Sequence, residues 1–143
     1  FLFILNKQLS EEQREVAFEC ATFAWKSLMP RITKCEINIS LKKLTGYHGT
    51  CLDIGIREFQ IDVDKKLGLG DDFTTTIFHE MVHVKQLVYK EFFTECNFYS
   101  SHEEYVNLPW EKEAYELQEV LLKQWQNSKI ISNQKRNFIG VNF

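Results

Sequence analysis

The sequence feature that most constrains this chain is a pair of histidines, His79 and His83, placed four residues apart in a segment with helical periodicity. Four residues advance an α-helix by about 6 Å and turn it about 40° past a full circle, so both imidazoles lie on one face. At that spacing the two rings can converge on one ion. Glu80, rotated by about 100° from His79, lies beside that ion, where a base for a metal-bound water belongs.

The residues around this H-E-x-x-H motif predict an amphipathic helix from Phe73 to Lys90, capped by an aspartate after a glycine-containing break at residues 68–70. Its apolar stripe consists of Phe73, Ile77, Met81, Val84 and Val88. The two histidines fall nearly opposite this stripe, so we expect the helix to be packed on one side and to present the histidines to a cleft. The alternative is a solvated polar face that matches the motif by chance.

A catalytic zinc site needs a third protein ligand and an open fourth position. The extended metzincin pattern would require a glycine at position 86 and a histidine at position 89, where this chain has Gln86 and Tyr89. A helix predicted from residue 110 to about residue 127 offers Glu111 and Glu113 instead. Glu113 falls inside the apolar arc of that helix, where a carboxylate is costly unless it binds a partner. Glu113 is therefore the preferred third ligand, and Glu111, on the rim of the arc, is the alternative.

Four other side chains are weaker candidates. His102 is a candidate third ligand or oxyanion donor, with a surface histidine as the simpler interpretation. His48 is expected to be a turn side chain in a loop. Tyr99 and Tyr105 are candidate hydrogen-bond donors to a developing oxyanion, with core or rim aromatic residues as the alternative.

The remaining pattern predicts one α+β domain over residues 1–143. An apolar run predicts a strand at residues 1–6, and period-two alternation predicts strands at 35–41 and 59–64, with Asp62 and Asp64 facing solvent. A capping box at Ser10 begins a helix that Pro30 ends. The glycines at 46, 49 and 55 indicate a loop and a turn, and residues 129–143 indicate a final strand or tail.

The composition excludes several function classes. With 17 Lys and Arg against 20 Asp and Glu, the net charge is −3, which argues against nucleic acid as the main partner. The longest apolar run, residues 1–5, is too short to cross a membrane. The 4 cysteines show no C-x-x-C spacing and predict free thiols in a cytoplasmic protein. A secreted domain with disulfides stays open, since the chain begins with Phe rather than Met.

Two segments carry a family resemblance. Residues 75–86, Thr-Thr-Ile-Phe-His-Glu-Met-Val-His-Val-Lys-Gln, resemble the active-site helix of zincin-type metallopeptidases of the gluzincin kind. Residues 110–115, Trp-Glu-Lys-Glu-Ala-Tyr, resemble the downstream helix that supplies the glutamate ligand in these enzymes. The chain is similar to small zincin-like proteins of phages, viruses and bacteria, and more distantly to ImmA/IrrE-type peptidases.

The resemblance implies a zinc metallopeptidase in which His79, His83 and Glu113 bind Zn²⁺ and Glu80 is the general base. It also implies a zincin-like α+β fold with a small, mostly antiparallel sheet and a peptide or protein substrate. The strand at residues 59–64 resembles the edge strand on which zincins lay an extended substrate, and an edge strand has free backbone groups for that purpose. The alternative function is a catalytically silent zincin-fold module that binds a peptide or protein.

Overall fold

A computed structural model describes the backbone of residues 1–92 and 102–141, and the side chains of residues 1–92 and 104–134. The strands are β1 (Leu2–Leu5), β2 (Glu36–Lys42), β3 (Gly49–Gly55) and β4 (Glu58–Asp64). The helices are α1 (Glu11–Leu28), α2 (Asp71–Val88), α3 (His102–Val106) and α4 (Pro109–Val141), with a short 3₁₀ helix at Lys65–Leu67.

The four strands form one mixed sheet in the order β1-β2-β4-β3, which confirms an α+β protein. The β1 and β2 strands are parallel, β2 and β4 are parallel, and β3 is antiparallel to β4. The expectation of a mostly antiparallel sheet is therefore wrong. The physical reason is the connections: α1 crosses over between β1 and β2, as a parallel pair requires, and the β3–β4 hairpin returns β4 beside β2.

The predicted edge strand lies inside the sheet. The β4 strand is paired with β2 on one side and with β3 on the other, so the edges of this sheet are β1 and β3. Residues 49–55, which the glycines indicated to be loop and turn, form the β3 strand instead. Its signal was weak because it is half-exposed and lacks clean alternation, and its extended conformation comes from pairing with β4.

The core lies between one face of the sheet and the helices α1 and α2. Small side chains of α1 allow α2 to approach closely, and the large apolar side chains of α2 fill the space. The sheet contributes Ile37, Ile39, Phe59, Ile61 and Val63, α1 contributes Ala17, Cys20, Ala21 and Ala24, and α2 contributes Phe73, Ile77, Phe78, Met81, Val82 and Val84. Helix α4 packs along α2 as well, with Ala114 and Leu121 buried. The α2 helix is thus covered on more than the single side that its apolar stripe predicted.

Two local predictions about charged strand residues and thiols can be compared with the structure. Asp62 and Asp64 are buried, so their expected exposure is wrong: Asp62 accepts a hydrogen bond from Gln60, and Asp64 caps the short 3₁₀ helix. Cys20, Cys35 and Cys51 are free thiols, and Cys96 lies outside the described residues.

The helix ends follow their local chemistry in part. The capping box at Ser10 is confirmed, because Gln13 N–H donates to Ser10 Oγ and Ser10 N–H donates to Gln13 Oε1, at 3.1 and 2.9 Å. The aspartate cap of α2 is wrong, since Gly70 occupies that position and both aspartates lie in the first turn. Residues 129–141 continue α4 rather than forming a strand or tail, because no proline or glycine interrupts the helix before Gly140.

None of the helices in the described ranges is long and apolar enough to cross a membrane.

The central strand offers a test of this core. Ile61 is fully buried in β4, whereas Ile56, in the β3–β4 turn, is 96% exposed. We expect Ile61→Ala to lower the free energy of unfolding by about 2–5 kcal/mol, since it leaves a cavity. The matched change Ile56→Ala should alter it by less than about 0.5 kcal/mol. Urea unfolding in the presence of a chelator measures both, and equal effects would contradict this packing.

Candidate metal centre

Three side chains from two helices meet at one point. His79 and His83 lie on successive turns of α2, and Glu111 reaches them from the first turn of α4. Glu111 Oε2 lies 3.0 Å from His79 Nε2, and Glu111 Oε1 lies 3.0 Å from His83 Nε2. The two Nε2 atoms are 3.2 Å apart. These three residues therefore lie close enough to bind one metal ion.

The glutamate in this cluster is Glu111, and the preference for Glu113 is corrected. Glu113 Oε1 accepts hydrogen bonds from Lys85 Nζ at 2.7 Å and from Gln86 Nε2 at 3.1 Å, at the C-terminal end of α2. Glu111 is 3% exposed and lies on the α4 face that packs against α2, together with Ala114. The physical reason is the docking of the two helices, which turns the side of the α4 apolar stripe that carries Glu111, and not the opposite side with Glu113, towards the histidines.

Hydrogen bonds on the far side of each ring fix which nitrogen carries the proton. His79 Nδ1 lies 2.8 Å from Gln118 Oε1, and His83 Nδ1 lies 2.8 Å from Gln86 Oε1. Both amides are oriented by their own Nε2 donors, to Glu119 Oε1 and to Trp110 O respectively. Because an amide oxygen only accepts, each Nδ1 must donate, which leaves the lone pair of a neutral imidazole on Nε2.

The cluster consequently brings four acceptor atoms together: two imidazole nitrogens and two carboxylate oxygens. Such an arrangement is repulsive unless a cation lies among the atoms. A proton on His83 relieves part of this repulsion, and although burial opposes it, the hydrogen bond to Glu111 and the charges of Glu80 and Glu111 raise the pKa of His83 to about 8. A divalent ion would satisfy all three residues at once.

The spacing of the acceptor atoms fits such an ion. The two Nε2 atoms are 3.2 Å apart, each lies 3.0 Å from one oxygen of Glu111, and one ligand atom from each residue lies within 4.8 Å of the others, which is close enough for all three to reach one ion. The electrostatics point the same way: burial raises the pKa of Glu111, but the hydrogen bonds and charges of the histidines outweigh it and lower that pKa to about 2. Glu111 is thus an anion at neutral pH and favours positive charge beside it.

Glu80 lies next to this cluster, as its position in the motif predicted. The residue is 4% exposed, and burial raises the pKa of its carboxyl against the opposing effect of the two histidines. Across from it, a Cβ at Gly49 would lie 3.1 Å from Glu80 Oε1 and 2.6 Å from Thr76 Cγ2. Gly49 at the start of β3 therefore allows the strand to approach the Glu80 carboxylate more closely than any residue with a side chain would.

A cleft of about 630 Å³ opens onto the cluster. Among the described residues, Glu80, His83 and Glu111 form its floor, and the β3 residues from Gly49 to Asp53 form one wall. A second cavity of about 430 Å³ reaches His79 and Glu80 from the other side. The buried carboxylate and the candidate metal ligands are accordingly accessible from solvent along an edge strand.

The other candidate residues fall in different places. Tyr105, on α3, donates a hydrogen bond to Glu111 Oε1 at 2.9 Å and lines both cavities. His48 lies in the loop before β3, as expected for a turn residue, and its carbonyl accepts from Asp64 N–H. The side chain of His102 and all of Tyr99 lie outside the described residues.

Sequence reasoning missed the two glutamines that hold the rings. A signal for one of them was present, because Gln118 follows Glu111 by seven residues and so lies about 20° from it on the helix. Ala114 lies between Glu111 and Gln118 in sequence, and its small side chain indicates a surface that packs against another element. The two polar residues near it therefore indicate a polar strip within a packed surface. Gln86 carried no such signal, since its role depends on the approach of α4.

Comparison of the chain with protein-family models, with curated proteins and with solved structures gave no match. The interpretation of the site consequently rests on its own geometry.

Metal analysis of purified variants tests the ligand set. We expect the parent to bind about one equivalent of a divalent ion, and His79→Ala, His83→Ala and Glu111→Gln to bind much less, because each removes one of three ligands. The matched change Glu113→Gln should keep the full equivalent, since Glu113 contacts Lys85 and Gln86 rather than the histidines, and an amide oxygen can still accept from both. Mass spectrometry of the metal content measures this, and loss of metal in Glu113→Gln with retention in Glu111→Gln would contradict the assignment.

Proposed function

We propose that the chain is a zinc-dependent metallopeptidase of the gluzincin type, with His79, His83 and Glu111 as ligands and Glu80 as general base. The observation that carries the proposal is the convergence of two imidazole nitrogens and two carboxylate oxygens beside a second buried carboxylate at the floor of an open cleft. Two imidazoles and one carboxylate are a donor set typical of catalytic zinc, which keeps its fourth position for water or substrate.

When bound, a zinc ion would polarise the scissile carbonyl and lower the pKa of a bound water to about 7. Glu80 then takes a proton from the attacking water as the new C–O bond forms. It delivers this proton to the amide nitrogen as the C–N bond breaks, so that one peptide bond and one water become a carboxylic acid and an amine, which ionise to a carboxylate and an ammonium group. A carboxyl whose pKa burial raises, as for Glu80, is suited to holding that proton between the two steps.

The substrate is proposed to bind along β3. The strand at residues 59–64, for which the family resemblance implied this role, is β4, which lies inside the sheet. Asp64 N–H donates to the carbonyl of His48 at 2.8 Å, one residue before β3. By the alternation of an antiparallel pair, the backbone groups of Cys51 and Asp53 then point away from β4. A peptide can pair with these groups as an added strand, which would lay its backbone beside Glu80.

The cleft wall opposite β3 favours an apolar side chain in the substrate. Leu87 at the end of α2, together with Phe92 and Trp110, lines this part of the cleft, and the rings of Phe92 and Trp110 lie 6.2 Å apart. Burial of a large apolar side chain against these groups would contribute about 1.5–3 kcal/mol to binding. We therefore propose peptides with a bulky apolar residue next to the cleaved bond as the substrate class.

The catalytically silent binding module is the second candidate function. Against it stands Glu80, which has no binding role in the cluster and yet occupies the position that the hydrolytic reaction requires. Digestion of a peptide library with and without a chelator separates the two functions, since a binding module retains metal and peptide without turnover.

Glu80→Gln tests the base directly. The amide cannot accept the water proton, so kcat/KM for peptide hydrolysis should fall by about 10²–10⁴-fold, while about one equivalent of zinc should remain because Glu80 is not a ligand. Glu116→Gln, an exposed change on α4, is the matched control and should retain the parental rate. Cleavage by Glu80→Gln at the parental rate would show that Glu80 is not the base.

Tyr105→Phe tests whether the hydroxyl on Glu111 also serves the reaction. The hydroxyl lines the cleft beside the cluster, and if it donates to the developing oxyanion, its removal should lower kcat by about 10²-fold or more with a smaller change in KM. Zinc content should stay at the parental level, since the three ligands are intact. Tyr89→Phe, at an exposed position outside the cleft, controls for the loss of a hydroxyl. An unchanged kcat would show that the Tyr105 hydroxyl has no part in the reaction.

A further inference from the structure

Each candidate zinc-binding histidine donates its second ring nitrogen to a glutamine, and no carboxylate takes that place. We propose that Gln86 and Gln118 are positioning residues that hold His83 and His79 as the Nδ1–H tautomer and aim both Nε2 lone pairs at the metal position. The proposal rests on the metal-binding part of the proposed function and is independent of peptide hydrolysis. It assigns a role to two residues that the H-E-x-x-H motif does not include.

Gln118 acts on His79 from the partner helix. It lies two turns after Glu111 on the same face of α4, and its Oε1 accepts from His79 Nδ1 at 2.8 Å. The ring of Tyr115, between these two residues in sequence, lies 4.7 Å from the ring of His79. The α4 helix therefore supplies one ligand, the acceptor that fixes the tautomer of another ligand, and a ring that limits its rotation.

Gln86 acts on His83 from the same helix, but α4 holds its amide in place. Its Oε1 accepts from His83 Nδ1 at 2.8 Å, while its Nε2 donates to Trp110 O at 2.9 Å and to Glu113 Oε1 at 3.1 Å. Gln86 is buried, and both partners of its amide nitrogen are acceptors. A flip of the amide would break these hydrogen bonds and place Gln86 Oε1 against the Trp110 carbonyl oxygen and the Glu113 carboxylate. The orientation of the amide is therefore fixed.

The two glutamines differ in a way that makes the proposal testable. The Nε2 of Gln118 donates to Glu119 at 3.2 Å, and the Glu119 side chain is exposed. A carboxylate at position 118 would keep the acceptor for His79, while the Glu119 side chain can turn away into solvent, where the repulsion between the two charges is weak. A carboxylate at position 86 would face the Trp110 carbonyl and the Glu113 carboxylate, where only a donor fits. Gln→Glu should thus be tolerated at 118 and harmful at 86.

The experiment measures zinc affinity by competition with a chromophoric chelator for the full chain and its variants. Gln118→Leu and Gln86→Leu should each weaken zinc binding by about 10–100-fold, as is typical when the outer partner of a ligand is lost. Gln118→Glu should bind within about threefold of the parent or more tightly, since a carboxylate raises ligand basicity. Gln86→Glu should bind at least as weakly as Gln86→Leu. Gln124→Leu, at an exposed position of α4, is the matched control.

Two further readouts separate positioning from folding. Thermal unfolding in excess chelator shows whether a variant folds without metal. If the variants at position 86 fail to fold, the comparison of Gln118→Leu with Gln118→Glu still tests the proposal. In the zinc-loaded parent, ¹H–¹⁵N correlation spectra of the histidine rings should show the proton on Nδ1 of both His79 and His83. A proton on Nε2 of either ring would overturn the proposal.

The remaining outcomes are distinguishable from failure of the proposed function. Parental zinc affinity in Gln118→Leu, or equal losses in Gln118→Leu and Gln118→Glu, would overturn the positioning role. A parent that binds zinc and hydrolyses no peptide would refute only the peptidase. A parent that binds no zinc would refute both proposals.

Discussion

The bridge between the Glu111 carboxylate and the two histidines of α2 is the interaction on which this site depends. Burying a carboxylate between packed helices is costly unless partners satisfy it. Here Tyr105 donates a hydrogen bond to one oxygen of Glu111, and a proton on His83 or a cation among the four atoms supplies the remaining compensation. These contacts join α4 to α2, so the position of α4 and the geometry of the cluster are fixed together.

The charges around the site show why a cation belongs within it. Among the described residues, the buried charged groups include Glu80 and Glu111, whereas no lysine or arginine is buried. The nearest ion-pair network, in which Lys85 contacts Glu91 and Glu113, lies at the rim of the cleft, and its two carboxylates outnumber its one cation. Two neutral amides accept from the imidazoles. A divalent ion at the cluster would offset the negative charges of Glu80 and Glu111.

The sheet contributes by placing an open edge beside this charge. Since β4 returns next to β2, the hairpin partner β3 is left at the edge, and its first residue, Gly49, approaches the Glu80 carboxylate. An outer strand that carried a larger side chain at this point would be displaced from Glu80. The mixed topology and one glycine together bring an edge strand of the described sheet next to Glu80 and the histidine–glutamate cluster.

The sequence by itself determined what depends on local geometry. Helical spacing of four residues placed His79 and His83 on one face with Glu80 beside them, and short-range hydrogen bonds placed the start of α1 at Ser10. Its preference for Glu113 over Glu111 was wrong, because each lies about 80° from the centre of the α4 apolar stripe, on opposite sides, and helix geometry alone does not separate them. The docking of α4 on α2 decided that choice. It also could not show which strand lies at the edge, because pairing joins residues distant in the chain, and only the folded sheet brings β3 to the site.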